Sequence, residues 1–295
     1  MFEIQYRDQL QRFLLEDLGV EGDVTCKFLG LGRREAAASV VAREPGVVAG
    51  LVFVEPLFRI LDLGCKVEER VPEGQECESG SALLQLTGPA EALLAGERTA
   101  LNLLSRMFGI ATMVRRLNGL LEGLPTRLLP TRKTLPGLRF FDKYAAEMGG
   151  AARHRYGLND AIMIKDNHLV LGGEIGDVLR RTRENAGHML TLEMECDTLD
   201  QLGKILQADL ALAASCPRSR GVDVILLDNM TLTEMKDAVA MIGAHPRVVL
   251  SEASGGVRAE NLREIALTGV DFISMGALTH SVMPIDIGLD FLAGS

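Results

Sequence analysis

From about residue 126 onward the chain repeats one rhythm, an apolar run, a polar loop and a helix-forming stretch, at intervals of roughly 25 to 35 residues. That spacing is the signature of βα units, which must pair their strands in parallel through crossover helices. Six apolar runs fit: Arg127 to Leu129, Ala161 to Ile164, Met189 to Met194, Val222 to Leu227, Arg247 to Leu250, and Asp271 to Met275. Their Val, Ile, Leu and Met content predicts strands covered on both faces. Among the intervening helices the clearest begins near Pro136, with Leu138, Phe141, Ala145 and Met148 as an apolar stripe. Arg139, Asp142, Lys143 and Glu147 are predicted to face away from it, and Gly149-Gly150 to end it. Ala208 to Gly221, which contains Pro217-Arg218-Ser219-Arg220, is predicted to be a long exposed loop with no catalytic part.

The first part of the chain has a different grammar. Up to about residue 112, Ala36 to Ala42, Cys65 to Val71 and Ala82 to Leu86 read as strands among helical stretches, separated by Pro45-Gly46, Pro72-Glu73-Gly74 and Gly88-Pro89. Residues 1–18 mix charges with Ile4, Leu10, Phe13 and Leu14, the pattern of an amphipathic helix rather than a secretory leader. The apolar run Val47 to Val54 is far shorter than the roughly 20 residues a bilayer span needs. No membrane role is expected. Five cysteines without a C-x-x-C pair argue against a disulfide framework or structural zinc and point to a reducing, cytoplasmic setting.

Polar residues cluster where a βα barrel would need them, at the carboxyl ends of the strands. The six ends carry Thr131-Arg132-Lys133-Thr134, Lys165-Asp166-Asn167-His168, Glu193-Met194-Glu195, Asp228-Asn229, Ser251 to Gly256, and Gly276-Ala277-Leu278-Thr279-His280. Charge is distributed unevenly. Thr131 to His168 holds seven Lys or Arg and four acids, a net of +3, which leaves −12 on the rest of a chain whose total is −9. A cationic mouth in an acidic protein suits a small polyanion, because Arg and Lys concentrate carboxylates and phosphates there. The overall charge disfavours nucleic acid as a partner. The glycine turns at Ser254-Gly255-Gly256 and Gly276 are suited to bringing backbone N–H groups close to a phosphate.

Arg98 gives a separate clue. It lies on a helix predicted from near Pro89, between Leu94 and Leu101, and so interrupts a stripe expected to be buried. A buried guanidinium needs an anionic partner, either Glu97 or a ligand held by a neighbouring subunit. On the residues alone, Arg132-Lys133 fits a solvated basic turn as well as a ligand site. Lys165, at the end of an apolar strand, could also serve as the nucleophile of a Schiff-base aldolase. Glu193 and Glu195, two apart on a strand, share a face, and Glu195 is favoured for ligand contact. His154 and His168 fit loop positions as well as functional ones.

In its ordered motifs the sequence resembles the quinolinate phosphoribosyltransferases, also called nicotinate-nucleotide pyrophosphorylases (carboxylating). The motifs run from Gly22-Asp23-Val24-Thr25 and Arg43-Glu44-Pro45-Gly46 through Gly96-Glu97-Arg98-Thr99-Ala100-Leu101-Asn102, Thr131-Arg132-Lys133-Thr134, His154-Arg155 and Lys165-Asp166-Asn167-His168. They continue with Glu193-Met194-Glu195-Cys196, Leu227-Asp228-Asn229, Glu252-Ala253-Ser254-Gly255-Gly256 and Ile273 to His280. The long 208–221 connection is the one departure noted.

The resemblance implies an α/β protein with an N-terminal α/β sandwich domain (1–112) and an open six-stranded βα barrel (113–280), with 281–295 returning to the sandwich. It implies transfer of phosphoribosyl from phosphoribosyl pyrophosphate (PRPP) to quinolinate with loss of CO2. Arg98 of a partner subunit, Arg132, Lys133, His154, Arg155 and Lys165 would bind quinolinate, with Lys133, Lys165, Glu195 and Asp228 as the catalytic set. Ser254, Gly255, Gly276 and His280 would hold phosphates. Mg2+ would arrive with PRPP near Glu195 and Asp228, directly or through water, in a homodimer with shared sites or a higher homo-oligomer. A same-fold relative with a binding or oxyanion-transport role, or a transferase acting on nicotinate itself, are the readings to be distinguished from it.

Overall fold

A computed structural model describes residues 3–32, 34–216 and 220–292. In chain order its elements are α1 (Arg7–Leu18), α2 (Val24–Leu29), β1 (Glu35–Ala42), β2 (Gly46–Val47), α3 (Val54–Leu61), β3 (Lys66–Arg70), β4 (Glu76–Cys77), β5 (Ala82–Pro89) and α4 (Ala90–Leu120). They continue with β6 (Arg127–Pro130), α5 (Arg139–Met148), β7 (Ile162–Ile164), α6 (Asp166–Gly172), α7 (Ile175–Asn185), β8 (Leu192–Cys196), α8 (Leu199–Ser215) and β9 (Val224–Asp228). The last are α9 (Leu232–Gly243), β10 (Leu250–Ser254), α10 (Ala259–Ala266), β11 (Phe272–Met275), α11 (Ala277–His280) and β12 (Ile287–Phe291).

The chain divides into two compact units, one formed by 1–116, 133–150 and 277–295, the other by 117–132 and 151–276. Position 112, where the sequence rhythm changes, falls inside the unbroken helix α4. The first unit is built on a four-stranded sheet in the order β12-β1-β5-β3, antiparallel throughout. Its core includes an aromatic cluster in which Phe53 meets Tyr6 at 4.9 Å and Phe141 at 5.1 Å between ring centroids, both edge to face. That geometry adds to area burial and ties α5 to the segment preceding α3.

The second unit is a parallel sheet in the order β6-β11-β10-β9-β8-β7. Its outermost strands β6 and β7 are not paired with each other, so the sheet stays open. Together the two sheets give the α/β organisation expected from the sequence. Most strands are buried along their length, as the continuous apolar runs require.

Five local expectations need correction. The fifth strand of the parallel sheet is Leu250–Ser254 rather than Arg247–Leu250, because Val248 is exposed while Ser251 finds a partner inside the sheet. Both the backbone N–H and the hydroxyl of Ser251 donate to Asp271 Oδ2, at 2.8 and 2.7 Å, which satisfies a buried polar residue. The third strand begins at Leu192, not Met189, which is exposed. The region from Ala208 to Ser215 is not a loop but the end of α8, whose buried face includes Leu206, Asp209 and Leu212. Asp209 is tolerated there because its carboxylate accepts from Val222 N at 2.7 Å and lies 2.9 Å from His245 Nε2. Pro217, Arg218 and Ser219 lie outside the described residues.

On α5, Asp142 and Lys143 do not face solvent but are buried, and the helix starts at Arg139, after a Leu135–Leu138 turn. Arg106 on α4 grips Asp142 with two hydrogen bonds, Nε to Oδ1 at 2.7 Å and Nη2 to Oδ2 at 2.9 Å. Burial pushes the Asp142 carboxyl up from the ordinary aspartate value despite this partner. Arg98, finally, is exposed, because the stripe of α4 that packs inward runs through Leu93, Ala100, Leu104, Met107 and Ala111 instead.

Candidate active site

The parallel sheet of the second unit brings six of the sequence motifs to one edge, because all its strands run the same way. Arg132 follows β6, Lys165 follows β7, and Glu195 lies one residue before the end of β8. Asp228 ends β9, Ser254 ends β10, and Gly276 follows β11. The registers Ser254↔Asp228, Cys196↔Leu227 and Met275↔Pro130 align these ends. In the first unit, Thr279 Oγ1 donates to Lys133 O at 2.8 Å, bringing the Lys133 turn beside α11 and its last residue, His280.

Lys165 is paired with Glu195 through its Nζ and the carboxylate Oε2. The Lys165 N–H also donates to His168 Nδ1 at 2.9 Å, so His168 caps the start of α6. Arg155 reaches Met163 Sδ at 3.2 Å through Nη2. Burial, and after it the neighbouring Arg132, lowers the Arg155 pKa from its ordinary value. The Arg132 Nε is buried with no hydrogen-bond partner among the described residues. A buried N–H without an acceptor costs free energy, which a carboxylate or phosphate oxygen reaching Arg132 would relieve.

Sequence reasoning left Glu252 without a role. Registers Glu195↔Leu226 and Glu252↔Leu226 put Glu195 and Glu252 on one face of the sheet, which Glu193 shares two residues earlier on β8. The Oε2 atoms of Glu193 and Glu252 lie 3.6 and 3.7 Å from His154 Nε2. Both acids are buried and hydrogen-bonded to each other, and Ser274 also bonds Glu252. Burial raises the Glu193 carboxyl to about 7; burial and then the charge of Glu193 raise that of Glu252 to about 7. In the sequence Glu252 stands between Ser251 and Ala253-Ser254, which reads as a loop, and placing the strand three residues too early put it outside the sheet.

The backbone at the β9 and β10 ends is locally constrained. Asn229 takes a left-handed conformation (φ 54°), donates its N–H to Ser254 O at 2.9 Å, and bonds Asp228 Oδ2 through Nδ2 at 2.7 Å. Gly255 (φ 87°) packs so closely that a Cβ there would overlap the Asn229 side chain. Gly255 and Gly256 both have positive φ, so their N–H groups can turn toward a ligand as side-chain-bearing residues rarely allow.

In the first unit, Arg98 and Arg106 line a cavity of about 590 Å3 with Glu16, Asp17, Asn102 and Pro136. The His280 Nδ1 lies 2.7 Å from Ser281 Oγ, and the ring is exposed. The structure thus groups Arg132, His154, Arg155, Lys165, Glu195, Asp228, Ser254, Gly255 and Gly276 in one unit, and carries Arg98, Lys133 and His280 in the other.

Two family models match the chain, the quinolinate phosphoribosyl transferase N-terminal domain over residues 23–108 and its C-terminal domain over 110–290. A probable nicotinate-nucleotide pyrophosphorylase (carboxylating) of Bacillus subtilis is 38% identical over 98% of this chain and 94% of its own. The nicotinate-nucleotide pyrophosphorylase (carboxylating) of Mycobacterium leprae is 40% identical over 96% of each chain. The crystal structure of the nicotinate-nucleotide pyrophosphorylase from Ehrlichia chaffeensis superposes with a TM-score of 0.87 at 34% identity, over 99% of this chain and all of that one.

Proposed function

The chain belongs to the quinolinate phosphoribosyltransferase family, and on that premise we propose that it transfers the phosphoribosyl group of PRPP to quinolinate with decarboxylation. The products are nicotinate mononucleotide, pyrophosphate and CO2, a step in making NAD. The observation that carries this reading is the set of Arg132 and Lys165 with Glu195 and Asp228 at the aligned strand ends, joined by Arg155, whose charge acts on that of Arg132.

In the reaction the pyridine nitrogen attacks ribose C1 as the bond from C1 to the pyrophosphate oxygen breaks. Arg132, Arg155, Lys165 and His154 grip and orient the two carboxylates, so that the nitrogen needs positioning rather than a base. Lys165 starts paired with Glu195, and a substrate carboxylate takes its place as partner. Positive charge grows on the ribose ring, where the carboxylates of Glu195 and Asp228 stabilise it through fixed electrostatics. Ser254, Gly255 and Gly276 hold phosphate oxygens. Once the ring nitrogen is alkylated, the bond from C2 to its carboxylate breaks, the electron pair stays on the cationic ring, and C2 takes up a proton.

An oxygen donor set with few carboxylates and room for substrate phosphates and water suits Mg2+. Asp228, a part-exposed carboxylate at a strand end, fits that description, and Glu195, buried and paired with Lys165, would meet the ion through water or the substrate. Bound with PRPP, Mg2+ would neutralise charge on the pyrophosphate as it leaves. Exposed Arg98, on the wall of the cavity in the first unit, supports its use across a dimer interface, each chain completing its partner's site. All five cysteines are free thiols, which supports a reducing compartment such as the cytoplasm; among the described residues no helix is long and apolar enough to cross a membrane.

The test supplies purified protein with Mg2+, PRPP and carboxyl-labelled quinolinate or nicotinate. One labelled CO2 released per mononucleotide formed from quinolinate is expected. Mononucleotide from nicotinate alone, or quinolinate binding without release of pyrophosphate, overturns the reading. A Lys165 adduct trapped by borohydride with a carbonyl substrate would favour the aldolase.

A further inference from the structure

Glu193 and Glu252 take no part in the chemistry above, yet they are 6% and 2% exposed inside the parallel sheet. Burying two acids costs several kcal/mol each, roughly, unless something nearby makes use of them. They converge on one group. Their Oε2 atoms approach the same nitrogen of His154 from β8 and β10, and Ser274 on β11 bonds Glu252. The same two acids act favourably on half-buried Arg155, the residue next to His154. Their Oε1 atoms have no partner among the described residues, so the bonds to each other and to Ser274 leave one oxygen of each buried carboxyl unsatisfied.

His with two carboxylates is also a donor set for a transition metal, with ligand atoms all within 4.8 Å of one another. Against a dication stand the positive charges of Arg155 and Lys165, which already act on Glu193, and that of Arg132, which acts on Arg155. We propose that Glu193 and Glu252 are positioning residues for the pyridine dicarboxylate, fixing the His154 ring and the neighbouring Arg155 in the substrate-free protein. The acids never touch the acceptor. They set where the groups that do touch it stand, which makes discrimination of a diacid from a monoacid depend on residues beneath the site. The inference rests on the proposed function only for the identity of the acceptor.

Glu193→Gln, Glu252→Gln and the double variant keep side-chain volume, and each is first checked for thermal stability no lower than wild type. In steady-state assays we expect KM for quinolinate to rise about tenfold or more in each single variant, the loss for a weakened charge-assisted contact. KM for PRPP should stay within about twofold. An unchanged or lowered KM for quinolinate, or an equal rise in both KM values, overturns the proposal. So does zinc chloride titrating the substrate-free wild type at one ion per chain, with that binding lost in Glu193→Gln. A second readout needs no substrate: the 15N imidazole signals of His154 should be single in wild type and shifted or broadened in both variants. If the wild type makes nothing from quinolinate, the functional reading fails while this readout still decides the positioning; His154 signals unmoved in both variants overturn it.

Discussion

Replacing Glu252 with Gln should flatten the dependence of stability on pH. In the folded chain the Glu252 carboxyl titrates at about 7, from an ordinary value of 4.5, because burial and then the charge of Glu193 penalise its ionised form. Below pH 4.5 folded and unfolded states both hold the proton, and the group contributes no pH dependence. Between 4.5 and 7 the folded state keeps the proton while the unfolded chain releases it, so stability falls by about 1.4 kcal/mol for each pH unit gained. Above 7 both are ionised and the curve levels off, with a total loss of roughly 3 kcal/mol. The assay is thermal unfolding of wild type and Glu252→Gln from pH 4.5 to 8. For a chain of this size we expect the midpoint of the wild type to drop relative to the variant by about 6 °C across that range. Glu193 is raised chiefly by its own burial, so the variant keeps the share of the slope that Glu193 contributes and loses only that of Glu252. Parallel curves for the two proteins would refute the argument, since they would mean that the Glu252 carboxyl ionises as freely inside the sheet as outside it.

Arg106→Met should lower stability by roughly 3 to 5 kcal/mol near pH 8, since it strands the fully buried Asp142, and part of that loss should return at pH 5 as the acid takes up a proton; denaturant titration at the two pH values measures it. Gly255→Ala forces a left-handed residue to carry a Cβ into Asn229, and should raise KM for PRPP several-fold with a smaller change in KM for quinolinate. Mixing inactive Arg98→Ala with inactive Lys133→Ala should restore activity in hybrid dimers if sites are shared between subunits. No recovery after verified subunit exchange would count against sharing.

The parallel sheet was legible because strands covered on both faces must be almost wholly apolar, and Leu226, Leu227, Ile273 and Met275 say so directly. The strand ends were legible for the complementary reason, that polar residues such as Lys165 and Asp228 gather where the sheet stops. What stayed hidden were polar residues with buried partners. Ser251 and Glu252 look like the start of a loop until Asp271, Ser274 and His154 are brought near them by strands and loops remote in sequence. Asp142 looks like a solvent-facing helix residue until Arg106 arrives from α4. Periodicity assigns such residues to the surface because it weighs each side chain alone, and the partner that offsets burial lies twenty or more residues away. The exposure of Arg98 was misread for a related reason: both of its apolar neighbours were assigned to one stripe, while the helix turns a different line of residues inward.

Pairing of β12 with β1, from Ala38↔Phe291 to Ala42↔Ile287, joins residues about 250 positions apart. During synthesis at about 5 to 20 residues per second, β1 leaves the ribosome on the order of ten seconds or more before its neighbour exists. Throughout that interval one side of β1 offers unsatisfied N–H and C=O groups along an apolar strand, Ala38 and Val40 included, to any other nascent chain. Crowded overexpression should therefore favour inclusion bodies, and a chaperone that shields Glu35–Ala42 should raise the soluble yield.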